Sequence, residues 1–139
     1  MTKIISSPKI EVSKSRIIKA GRGCFARSLI KKGEVIEECP VLVLPRKDYV
    51  TAKKMSLRDY YFLWRKVTCV ICLGFGSLYN HSYEPNATYK KNIKQQTIKF
   101  VAIKDIMKGE EITVNYNYGN PDDKRTVLDR QYHLIYRIT

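Results

Sequence analysis

The chain has 139 residues, 44% of them hydrophobic, with 26 Lys plus Arg against 13 Asp plus Glu and a formal net charge of +13. That length suits one domain with a modest core. No run of about 18 apolar residues occurs, so no membrane-spanning helix is expected. The start Met1-Thr2-Lys3-Ile4-Ile5-Ser6-Ser7 has no apolar stretch of signal-peptide length, and the expected location is intracellular.

Short extended segments punctuated by turn residues dominate. Lys9-Ile10-Glu11-Val12 alternates, and Gly21-Arg22-Gly23 reads as a tight backbone turn. Two strands are predicted next: Glu34 to Glu38 after the turn Lys31-Lys32-Gly33, and Val41 to Leu44 ending at Pro45. Asp48 to Arg58 can hold a short helix. Tyr60 to Trp64 is aromatic and strand-like, and Val67 to Leu73 reads as a buried strand. Ala87 to Lys90, Thr97 to Ile103 and Glu111 to Tyr116 complete the strands. Beyond Pro121-Asp122-Asp123, Val127, Leu128, Leu134, Ile135 and Ile138 recur near helical spacing, which predicts a C-terminal helix over about 121–138. The class is mostly β, in small sheets, with one or two helices.

Cys69-x-x-Cys72 has the spacing of half a zinc site, but it lies in a β-branched apolar run, and Cys24 and Cys39 are isolated from it. Buried structural thiols are therefore the expectation, with no metal. The +13 charge has two readings: a solvated lysine-rich surface, or attraction to nucleic acid or acidic protein. The segment Asn80-His81-Ser82-Tyr83-Glu84-Pro85-Asn86 is more polar than a turn requires. So many hydrogen-bonding groups beside an apolar strand suggest a segment threaded into the fold and satisfied there.

Gly21-Arg22-Gly23, then Asn80-His81-Ser82-x-x-Pro85-Asn86, then Gly109-Glu110-Glu111-Ile112-Thr113-Val114-Asn115-Tyr116 resembles, in order and spacing, the SET-domain family of protein lysine methyltransferases. The likeness runs over about 9–118, within a single SET domain spanning 1–139. It implies a β-clip fold of small sheets with a pseudoknot, and S-adenosylmethionine as cofactor. It also implies that Gly21, Arg22 and Gly23 approach the cofactor's methionine end. Asn80 and His81 would bind the cofactor through backbone groups and a side-chain amide, and Tyr116 would be the tyrosine of the methyl-transfer site. Ser82, Pro85 and Asn86 would hold the threaded segment, with Glu110 and Glu111 anchoring it. Tyr89 and Tyr118 would line the lysine channel, Tyr89 limiting how many methyl groups fit.

Many members carry a zinc-binding cysteine cluster after the catalytic tyrosine, whereas 117–139 has no cysteine. The chain resembles the compact stand-alone members. The C-terminal helix with Tyr132 and Tyr136, or the second subunit of a homodimer, would close the site instead. The implied partner is a protein presenting a lysine, met alone or on a nucleoprotein particle, and Glu34, Glu37 and Glu38 are candidate acids to guide it past the positive field. The alternative is a SET-like module that binds a protein or nucleoprotein partner without turnover.

Overall fold

The computed structural model describes residues 7–117, 120–122 and 124. The expected C-terminal helix and Tyr118 lie outside the described residues. The strands, in chain order, are β1 Ile10–Lys14, β2 Arg22–Ala26, β3 Val35–Leu44, β4 Phe62–Arg65, β5 Thr68–Cys72, β6 Asn80–His81, β7 Ala87–Asn92, β8 Thr97–Ala102 and β9 Glu111–Val114. They form a four-stranded sheet, order β1-β2-β9-β6, and a five-stranded sheet, order β4-β5-β3-β8-β7. The mostly β class and the small sheets are as the sequence predicts.

Helix α1, Arg46–Ala52, begins directly after Pro45, whose carbonyl accepts from Asp48 N and Tyr49 N. It is shorter than predicted, and Ser56–Asp59 continues it only as a 3-10 turn. The two strands predicted on either side of Pro40 are one strand, β3, that changes partner there. Residues Val35 to Pro40 pair with β8, and Val41 to Leu44 pair with β5. Proline has no N–H for a ladder, so it fits where β8 begins at Thr97 and β5 ends at Cys72. Its carbonyl still accepts from Leu73 N at 2.9 Å.

One core joins both sheets: Ile36, Val70, Ile98 and Phe100 from the larger, with Cys24, Ile112 and Val114 from the smaller. A second cluster of Ala52, Tyr61 and Cys69 lies beside α1, and Tyr116 packs against both. Cys69 and Cys72 are three apart on a strand, so they face opposite sides, one in each cluster. All four cysteines are free and buried, as expected of structural thiols. Burial raises Cys24 to about 12 and Cys69 to about 11, which keeps both as unreactive thiols.

Candidate functional site

The polar segment is threaded against β9. β6 pairs in parallel with it, Asn80 opposite Thr113 and His81 opposite Val114, and Ser82 N donates to Val114 O at 3.0 Å. Asn86 continues the ladder with its side chain. Its Nδ2 donates to Glu111 O and its Oδ1 accepts from Thr113 N, both at 2.9 Å. One amide thus satisfies a backbone acceptor and a backbone donor of β9. Ser82 Oγ accepts from Glu84 N at 3.0 Å, and Pro85 is buried. Asn86 thus ties the segment to β9, while Ser82 bonds within it.

Glu111 is the clasp. Its Oε1 accepts from Ser15 Oγ at 2.7 Å and Asn80 Nδ2 at 2.9 Å, and its Oε2 accepts from Arg16 N at 2.9 Å. Among the described residues Glu110 takes part through its backbone, its carbonyl accepting from Ala26 N. Three elements therefore meet at one carboxylate: the loop after β1, β6 and β9. Gly23 borders the same point, since a Cβ there would lie 2.2 Å from Glu111 Oε1 and 3.1 Å from Asn80 Nδ2. Its missing side chain makes room for the protein's own clasp. Gly21 differs: it has φ +76°, and nothing stands within 4 Å of a Cβ built there. Arg22 lies between them, its side chain exposed and its carbonyl accepting from Asn80 Nδ2 at 2.8 Å. The side-chain N–H groups of Asn80, which the resemblance directs to the cofactor's amino-acid end, are instead committed to Arg22 O and Glu111 Oε1.

His81 and Tyr116 are joined directly. Tyr116 N donates to His81 Nδ1 at 3.0 Å, and the two rings lie 5.2 Å apart. Accepting at Nδ1 places the imidazole proton on Nε2. That nitrogen is buried with no hydrogen-bond partner among the described residues. Burial lowers the His81 pKa to about 4, so the ring is neutral and is not poised as a base near pH 7. The Tyr116 hydroxyl donates to Tyr79 O at 2.8 Å.

Each member of this pair lines a different cavity. The first is an aromatic cleft of about 40 Å³, lined by Tyr61, Phe62, Tyr79, Tyr89 and Tyr116, with Arg58 and Asp59 also on its wall. Tyr89 enters it from β7 and packs edge-on against Phe62 with centroids 5.0 Å apart. The second is open, about 360 Å³, and lined by Ile17, His81, Ser82, Tyr83, Glu111 and Thr113. Tyr116 lines the first cavity and touches the histidine of the second.

The acids proposed to guide a lysine are elsewhere. Glu34 pairs with Lys9 at 3.0 Å, Glu38 accepts from Thr97 Oγ1 at 2.9 Å, and Glu37 is buried at 6% exposure. The carboxylate that does line the cleft is Asp59. Tyr79, and Glu37 in its buried role, escape the sequence reading. A β-bulge between Val35 and Glu37 lets consecutive residues Ile36 and Glu37 both face inward, which breaks the period-two pattern.

A family model for the SET domain matches residues 21–117. The histone-lysine N-methyltransferase of Schizosaccharomyces pombe specific for H3 lysine-37 is 30% identical over 99 residues, 70% of this chain and 67% of that protein. Histone-lysine N-methyltransferase Set2 of Drosophila melanogaster is 35% identical over 113 residues, 74% of this chain and 5% of its own length. A solved Plasmodium falciparum protein, described as a candidate histone methyltransferase, has a TM-score of 0.60 at 32% identity, covering 82% of this chain and 96% of that one. The chain belongs to the SET-domain family. Its relatives' names tie that membership to protein-lysine methylation.

Proposed function

We propose that this chain is an S-adenosylmethionine-dependent protein-lysine N-methyltransferase, with Tyr116 the phenol of the transfer site. The observation that carries the reading is the direct bond between Tyr116, on the narrow aromatic cleft, and His81, on the open polar cavity. The open cavity falls within the roughly 300–1,000 Å³ of small-molecule sites. His81 lines its wall, its Nε2–H without an acceptor among the described residues, and Gly21 leaves open space at the turn. His81 lines that cavity, and the family resemblance adds the backbone of Asn80 and the Gly21-Arg22-Gly23 turn as the groups that would hold the cofactor with it. When bound, that cofactor supplies an electrophilic methyl group on a cationic sulfur.

The aromatic cleft would take the lysine side chain. Its rings exclude water around the amine, and no base acting on carbon is required; alignment is what the protein contributes. The ammonium must lose its proton first, which from an ordinary pKa of about 10.4 costs roughly 3–5 kcal/mol at pH 7–8. A nearby positive charge and a water-poor wall both reduce that cost. A phenol is neutral at these pH values and can bond the amine without trapping it as an ion pair. Tyr89, on the same wall, limits how many methyl groups fit, so Tyr89→Phe is expected to shift the product toward higher methylation by mass spectrometry. An unchanged product ladder would remove that role.

The substrate is a protein lysine, and the name of the Schizosaccharomyces pombe relative makes histone H3 the first probe. Calorimetry with S-adenosylmethionine tests the function directly. Tyr116→Phe is expected to keep cofactor affinity within about threefold while methyl transfer falls by about a hundredfold or more. A wild-type chain that binds no cofactor would overturn the reading.

A further inference from the structure

Behind the aromatic cleft lies a buried carboxylate that the proposed reaction does not use. Glu37, at the bulge of β3, is 6% exposed. Its Oε1 accepts from Tyr79 Oη at 2.7 Å, and its Oε2 faces Phe75 N at 3.5 Å. Cys24, Cys39 and Tyr79 are the titratable groups around it, and no cation pairs with it among the described residues. Burial raises its pKa, and the Tyr79 and Phe75 donors oppose that rise. A carboxylate in such surroundings costs stability compared with an apolar side chain of similar size. Its presence is better explained by what it holds.

What it holds is Tyr79, and Tyr79 bears on the cleft twice. Its ring lies 4.6 Å from that of Phe100, which in turn stacks near Phe62 and Tyr89 at 6.1 and 5.9 Å. Its carbonyl accepts the Tyr116 hydroxyl at 2.8 Å. Fixing the far end of this side chain therefore fixes both an aromatic wall and the partner of the Tyr116 phenol.

We propose that Glu37 is a positioning residue for the transfer site: by anchoring the Tyr79 hydroxyl it sets the Tyr79 carbonyl, and through it the Tyr116 phenol. This rests on the reading of Tyr116 given above. It does not require Glu37 to exchange a proton with substrate.

The test compares three forms with wild type: the double variant Tyr79→Phe with Glu37→Leu, and the single variants Glu37→Leu and Glu37→Gln. Removing both bonding partners avoids leaving one buried and unpaired, so the double variant is the one expected to keep its fold. Transfer is assayed with tritiated S-adenosylmethionine and recombinant core histones. In the double variant kcat is expected to fall about tenfold to a hundredfold, with cofactor affinity and histone KM within about threefold. Glu37→Gln keeps an acceptor for Tyr79 and is expected to recover most of what Glu37→Leu loses. A kcat within twofold of wild type in the double variant overturns the proposal.

A second readout needs no turnover. In tyrosine labelled with 13C at Cζ, the Tyr116 resonance, assigned by its loss in Tyr116→Phe, is expected to move in the double variant and return in Glu37→Gln. If wild type methylates nothing, the methyltransferase reading fails by itself. An unmoved Tyr116 resonance then overturns the positioning role, and a moved one supports it.

Discussion

His81 gives its Nδ1 lone pair to the Tyr116 amide, so protonating the ring would cost that bond as well as burying a charge. Its folded pKa of about 4 lies below the ordinary value of 6.5. The group therefore contributes stability that is complete above about 6.5 and is lost as the pH falls through 4. Between pH 7.5 and 4.5 the loss should be roughly 2–3 kcal/mol. Urea unfolding of wild type against His81→Gln isolates it from the carboxylates that titrate in the same range. An NMR titration placing His81 near 6.5 would contradict this. At this scale the sequence is a good guide to residue type and a poorer one to partner. The motif marks His81 as a residue holding shape and cofactor, and its bond to Tyr116 is visible only once β6 lies against β9. Asn80 shows the reverse: its amide looks like a ligand group in the sequence, yet it closes the protein's own clasp.

Threading β6 beside β9 is what converts three separated motifs into one site. The motifs are legible because each carries residues that an ordinary turn does not need: paired glycines, a doubly bonded Asn86, a clasping Glu111. The partner change of β3 at Pro40 is not legible as one strand, because a proline between apolar runs reads locally as a break. The bulge that turns Glu37 inward is equally hidden, since it depends on pairing with β8. Gly23 makes the element-scale prediction. A methyl group there meets Glu111 Oε1 at 2.2 Å, and Glu111 is held by three donors. Gly23→Ala should cost about 2–4 kcal/mol in urea unfolding, through loss of those bonds. Gly21→Ala has open space and only its left-handed backbone to strain, and should cost about 1–2 kcal/mol. Equal losses at the two glycines would refute the clasp.

Across the whole molecule, the +13 charge bears on what brings a substrate to the site. Lys90 and Lys99 stand directly opposite one another on β7 and β8, both exposed, beside a groove that Lys91, Asn92 and Gln95 also line. Like charges in that register repel; Glu38, opposite Lys99 on β3 and lining the same groove, offsets part of that repulsion, and a phosphate backbone would offset the rest. If this face meets nucleic acid, duplex DNA binding should weaken with salt. Reversing both lysines to Glu should flatten the log–log slope by about 2, at roughly 0.9 per phosphate contact. An unchanged slope would place the contact elsewhere or nowhere. Such binding would add to catalysis and would not replace it, because the cavities lined by Tyr116 and by His81 share no lining residue with this groove. The most direct test supplies tritiated S-adenosylmethionine to the wild-type chain with core histones and whole-cell extract, then locates the label by tandem mass spectrometry. The expected result is label on a lysine Nζ, lost in Tyr116→Phe although that variant still binds cofactor. Label on another residue type, or none from a wild-type chain saturated with cofactor, would contradict the account.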